Sequence, residues 1–296
     1  MDSWQFVLIA QNTVNGILLG VMYGTAAIGL SLIFGTMRIV FIAQGSVLVF
    51  FAYLCYWLFH FFGIDPYLSI IPVGLVALLL GAVFYYGLFK EAAALQDRIS
   101  SLLIAVGLMF ILENFMTVVW TPNPRSVVTS YGFVSYTIFG IHLTLNRLIG
   151  ALMAILATLG VYLFLKKTLI GTAVRATSED AEASSLMGIN PNRVNAVAFA
   201  IGMLLAAIAG INVASTYSFD PVYGFDIAIK ALFALTLGGI GTIYGALVGG
   251  IIIGLVEMTG AYFVGAGWTQ AILFVFFLVA ITFRPQGLFG KTSQKA

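Results

Sequence analysis

The chain has 296 residues, 61% of them hydrophobic and only 8% charged, where a soluble domain carries about 25% charged residues. Its net charge of +2 is too small for a nucleic-acid footprint, and its single cysteine, Cys55, excludes an internal disulfide. With a mean hydropathy of +1.07, the sequence reads as an all-α polytopic membrane protein of about 8–9 transmembrane helices with glycine-rich breaks, one transmembrane domain over residues 1–296.

The first apolar run covers residues 6–34, longer than the roughly 20 needed to cross a bilayer. Gly16, Gly20 and Gly24 repeat along it every four residues, a small-residue stripe that lets helices pack closely. Residues 35–45, GTMRIVFIAQG, carry Arg38 and Gln44 between glycines. They predict a tight turn or a partly re-entrant segment, since broken backbone at membrane depth survives only against protein or a cavity. Further spans are expected at 46–62, 67–89 and 101–120. The last contains Glu113 beside Asn114, and an intramembrane carboxylate is a functional-site candidate by default. The plainer alternative is that Glu113 reaches the headgroups or bonds a neighbouring helix. Residues 121–146 form the longest loop, whose alternation predicts a surface hairpin. A fifth span follows at 147–165.

Residues 166–193, KKTLIGTAVRATSEDAEASSLMGINPNR, are the longest charged stretch. It cannot lie in lipid, where each charge costs about 3 kcal/mol. A short helix is expected in its middle. Thr177 or Ser178 would cap it, leaving Glu179, Asp180 and Glu182 near a first turn whose dipole favours negative charge. Ala183, Leu186 and Met187 then share a face, Gly188 suits the position after the helix, and Pro191 follows. So short a helix is marginal alone in water. It is either a linker lying on its own membrane domain or a docking element for a soluble partner.

Spans at 194–214, 242–260 and 268–283 complete the chain, with a shorter helix at 227–237. The break GGIGTIYG at 238–245 is too rich in glycine for a uniform helix. Gly241, Gly245 and Gly249, with Gly250 and Gly254, again repeat at four. Apart from Glu113 the spans offer almost no charge, which predicts an apolar central passage. Nine alternating crossings put Arg38, Lys90, Arg98, Lys166, Lys167, Arg175, Arg193, Arg284, Lys291 and Lys295 on one side, against Arg125, Arg147 and Lys230. The positive-inside rule makes the first side cytoplasmic, with a periplasmic N-terminus and a cytoplasmic C-terminus. The N-terminus lacks the basic flank of a cleavable signal. Neither HExxH, CxxC nor GxSxG occurs, and no phosphate-binding glycine loop is followed by Lys and Ser or Thr. The reading is therefore a chain with no catalytic residues, no metal site and no ATPase of its own.

EDAEASSLMGINPNRV at 179–194 resembles the ATPase-coupling loop of ABC importer permeases, in which Glu-Ala-Ala and three residues precede Gly; here Glu182, Ala183, Ser184 and Gly188 hold those places. GLSLIFGTMRIV at 29–40, GTAVRATSEDAEASSLMGI at 171–189, KALFALTLGGIGTIYGALVGGIIIGLVE at 230–257 and FRPQGLFG at 283–290 look like the first of the two permeases of branched-chain amino acid ABC importers. The resemblance implies a bacterial inner-membrane permease of an ATP-driven importer, paired with a homologous second permease. Two cytoplasmic ATPase subunits would hold ATP and Mg and dock on residues 171–193, chiefly Glu179, Glu182, Ala183, Ser184, Leu186, Met187 and Gly188. A periplasmic solute-binding protein would deliver the ligand. This chain departs from the family at Phe41, Ile42, Ala43, Gln44 and Gly45, where Asn-Phe-Ala-His-Gly is usual, at Tyr244, often Pro, and at Glu113, commonly Gln. Those departures leave branched-chain amino acids, urea, short amides and other small organic solutes open as cargo. Gln44, Glu113, Asn114 and Tyr244 are the candidate pathway lining; satisfying local backbone groups is the plainer role for them. The rival classes are an ion-coupled secondary transporter, with Glu113 as its ion or proton site, and a non-transporting membrane scaffold.

Overall fold

A computed structural model describes residues 3–95, 98–138 and 140–290; Lys291 and Lys295 lie outside the described residues. The first apolar run becomes α1 (Ser3–Met37), which stops at Arg38, a residue with φ of 56°. Residues 39–43 then turn tightly in the interior, with Phe41 packed edge-on against Phe89 and Phe199. The chain re-enters at once as α2 (Gln44–Phe62), so this segment is a buried turn and not a re-entrant piece. Next come α3 (Ile70–Phe84), running through a π turn into α4 (Lys90–Leu95), and α5 (Arg98–Trp120).

The long loop carries the expected hairpin, β1 (Ser135–Ile138) antiparallel to β2 (Ile141–Thr144), with Ser135 opposite Thr144. It is followed by α6 (Leu145–Lys167), α7 (Leu169–Glu179), α8 (Ala181–Leu186), α9 (Pro191–Thr216), α10 (Tyr223–Gly238), α11 (Ile243–Val264) and α12 (Thr269–Phe283). Among the described residues, seven helices are long and apolar enough to cross a membrane. Of the remaining helices, α12 is apolar with 15 residues and α10, which carries Asp226 and Lys230, has 16, both short of a full crossing.

Two helices form the middle of the bundle, α1 and α9, the most deeply buried of the long ones. Around them α11, α10, α2, α3 and α6 pack directly, while α3, α5 and α6 turn large apolar side chains outward. The connections gather at two ends. At one end Gln11 donates to the His142 carbonyl, Asp65 accepts from Tyr131, and Arg125 pairs its backbone with Phe219. At the other end Arg38, Arg175, Glu179, Ile240 and Gln286 line one cavity. Leu288 and Phe289 donate their backbone amides to the Leu237 and Gly238 carbonyls. The FRPQGLFG tail thus satisfies the orphan carbonyls that end α10, which a buried helix terminus must have answered.

Candidate functional site

The polar stretch between α6 and α9 folds as two helices. Thr168 starts α7 by accepting from the Gly171 amide at 2.9 Å, and buried Val174 and Thr177 fasten that helix to the bundle. The expected cap at Thr177 or Ser178 is replaced by Asp180. Its extended backbone breaks the helix, and its carboxylate accepts from the amides of Glu182 at 2.9 Å and Ala183 at 3.0 Å. A carboxylate satisfies two orphan amides and the dipole together, so it outcompetes a hydroxyl. Glu179 therefore closes α7, and only Glu182 lies in the first turn of α8. Ser184 is buried, its hydroxyl 3.4 Å from that of Thr177. Glu182 and Ala183 are exposed, and Leu186 and Met187 are 88% and 83% exposed. The apolar side of α8 thus points away from the protein. Gly188 has φ of +83° and ends the element, with the Ile189 amide closing on the Ser184 carbonyl at 3.2 Å. Asn190 caps α9, with Pro191 at its first position.

The four candidate lining residues are not brought together. Gln44 lies in the core and donates to the Gly202 carbonyl at 3.3 Å. Glu113 is half-buried and accepts from Ser46 at 3.0 Å, bridging α5 to α2. Asn114 is exposed and bonds back to the Phe110 carbonyl one turn earlier. Tyr244 is exposed at the start of α11, its ring 4.9 Å from that of Tyr162.

The glycines divide between two crossings. Gly16 and Gly20 of α1 meet the backbone of Gly250, Ile251, Gly254 and Leu255 of α11, and Gly24 meets Leu247. Gly245 and Gly249 face the other way, against the backbone of Gly238 and Ala234 in α10. Gly241 belongs to neither crossing: it lies in the break with φ of +82°, and a Cβ there would meet nothing. The helix-packing set is thus Gly250 and Gly254 against α1, and Gly245 and Gly249 against α10.

The expectation of spans almost without charge does not hold. Lys230 of α10 is buried and lies 2.8 Å from both Asp226 and Glu257, with the Tyr23 hydroxyl at 3.3 Å. Gln270 of α12 donates to the second Asp226 oxygen at 2.7 Å. One ionic knot therefore ties α1, α10, α11 and α12. The four-residue spacing of Asp226 and Lys230 was a readable signal for half of it.

At the end that carries α7, a cavity of about 340 Å³ opens between α1, α6, α7 and α11. Lys166, Arg175, Tyr162 and Tyr244 lie on its wall. Among the described residues, no group of three or more His, Cys, Asp or Glu is arranged to hold a metal.

A family model described as branched-chain amino acid transport system / permease component matches residues 12–282. The high-affinity branched-chain amino acid transport system permease protein LivH of Salmonella typhimurium is 28% identical, covering 98% of each chain. The corresponding protein BraD of Pseudomonas aeruginosa is 28% identical over 95% of each chain. A probable LivH of Methanocaldococcus jannaschii is 29% identical over 89% of this chain and 87% of that one.

Proposed function

The chain belongs to the branched-chain amino acid transport system permease family, and we propose that it passes branched-chain amino acids or closely related solutes across the inner membrane as one permease of an ATP-driven importer. The observation that carries this reading is the family match, which runs from residue 12 to residue 282. The chain is a multi-pass membrane transport subunit. Its working partners are a homologous second permease, two ATPase subunits that hold ATP and Mg, and a periplasmic solute-binding protein. The end bearing Arg38, Lys166 and Arg175 faces the cytoplasm, as the positive-inside rule requires. The ATPases dock there on residues 171–193.

The exposure of Leu186 and Met187 supports α8 as the docking element. Two large apolar side chains held out on a capped helix are poorly placed in water, and a partner groove covers such a face well. ATP-driven closure of the ATPases then moves α8, and α7 transmits the motion to α6 and α9, between which the segment is strung.

Reconstitution tests the reading. The complete complex in vesicles should take up leucine only with ATP and with both ATPase subunits present. Uptake that persists when the ATPases are left out would transfer the chain to the ion-driven class.

A further inference from the structure

The cavity between α1, α6, α7 and α11 has the chemistry of an anion site. Its lining holds two cations, Lys166 and Arg175, and no carboxylate. The hydroxyls of Tyr162, Tyr244, Ser178 and Thr242 stand on the same wall. Lys166 donates to Tyr162 at 3.1 Å and Arg175 to Thr172 at 3.3 Å, and neither forms an ion pair among the described residues. Exposed cations without an acid partner leave charge to offer a ligand, and arginine and lysine beside hydroxyl groups suit phosphate oxygens.

The cavity is also amphipathic. Leu32, Leu165, Val174 and Ile243 supply its apolar wall. Lys166 lies in the last turn of α6, at the end of a span. From there Leu163, Leu159, Leu156 and Leu152 run back along α6, all exposed, at spacings that keep them on one helix face. A charged head at the membrane surface followed by an apolar stripe into bilayer depth matches a phospholipid, and basic pockets between membrane helices on the cytoplasmic side hold anionic headgroups. A second cavity of about 620 Å³ shares Arg175 and Ser178 and adds Arg38, together with the acid Glu179. Positive charge thus extends along this end of the bundle.

We propose that the cavity holds the headgroup of an anionic glycerophospholipid of the inner leaflet, with Lys166 and Arg175 gripping the phosphate and the α6 leucines carrying an acyl chain. The lipid bridges α6 to α7, the helix that leads into α8, so the state of the membrane bears on the moving part of the transporter.

Native mass spectrometry of the delipidated importer complex, titrated with phosphatidylglycerol and with phosphatidylcholine of the same chain length, tests this. K166Q/R175Q should weaken phosphatidylglycerol binding about thirtyfold, from two surface cations at the usual strength per charge, and weaken phosphatidylcholine much less, because its choline already offsets the phosphate charge. K166R/R175K, which keeps the charge, should restore the difference and so separate charge from folding. Phosphatidylglycerol binding that is equal in all three proteins overturns the proposal. So does a cavity that takes inorganic phosphate but no lipid, and so does a cross-link from Leu159→Cys to the second permease, which would make this face a subunit interface.

Discussion

Lys230 is the side chain on which the outer part of the bundle turns. An ammonium group taken out of water loses several kcal/mol of hydration, and the loss is recovered only with close, well-oriented partners. Two carboxylates at 2.8 Å supply them. Lys230→Met should therefore destabilise the protein by about 3–5 kcal/mol, because it strands Asp226 and Glu257 beside each other. K230M/E257Q should recover part of that loss. Melting temperatures of the purified single and double variants measure both, and a K230M variant as stable as the parent would refute the role of the knot. Gly188 makes a different demand. A Cβ there would touch nothing, so the need for glycine comes from its φ of +83° alone. Gly188→Ala should cost about 1–2 kcal/mol locally and reduce coupled ATP hydrolysis, while Gly188→Asn, which tolerates that backbone, should keep more of it. Equal ATPase stimulation in both variants would argue against a backbone requirement. Gly188 could be read from the chain because its signal is local. Glu257 could not, because its partner Lys230 is 27 residues away and meets it only after α10 packs on α11.

At the scale of elements, α1 packs along α11 backbone to backbone through glycines on both helices. A side chain at Gly20 or Gly250 would run into backbone of the opposite helix, and backbone cannot step aside as a flexible side chain can. Gly250→Leu should therefore reduce folded, membrane-inserted protein far more than Leu247→Ala. Size-exclusion profiles of the two variants compare them, and similar yields would count against tight packing here. The apolar runs announced the long helices because a bilayer fixes the length of a span. Which glycine faces which neighbour was beyond a four-residue repeat, since Gly245 and Gly249 share the repeat of Gly250 and Gly254 yet serve α10. The cap of α8 was ambiguous for a related reason: Thr177, Ser178 and Asp180 all have capping side chains, and in the fold it is the Asp180 carboxylate that meets the Glu182 and Ala183 amides. On the opposite end of the molecule, the 121–146 loop is pinned by Tyr131 donating to Asp65. Burial and the Asp65 carboxylate push the Tyr131 phenol well above the usual tyrosine range. A raised acid constant means the contact stabilises the fold fully below the ordinary tyrosine value of about 10 and is lost as pH rises through the folded value. Limited proteolysis of the loop should accelerate in that alkaline window for the parent protein and show no such added step in Tyr131→Phe. An identical alkaline step in both would remove the phenol as its cause.

For the whole molecule, the fold class followed from hydropathy, whereas the solute does not announce itself in a bundle whose polar candidates are scattered. Gln44 is in the core, Glu113 bridges two helices, and Asn114 bonds its own helix. No compact polar site emerges from them. The knot around Lys230 carries two carboxylates to one ammonium, which gives a strongly anionic solute nothing to bind there. The branched-chain amino acid assignment rests on the family match and not on a site in the bundle. Competition for uptake by the complete reconstituted complex decides the matter. Labelled leucine should enter saturably with ATP, be displaced by valine, and be unaffected by urea or a dicarboxylate. Leucine that fails to enter, with urea or a short amide taken up in its place, would contradict the assignment.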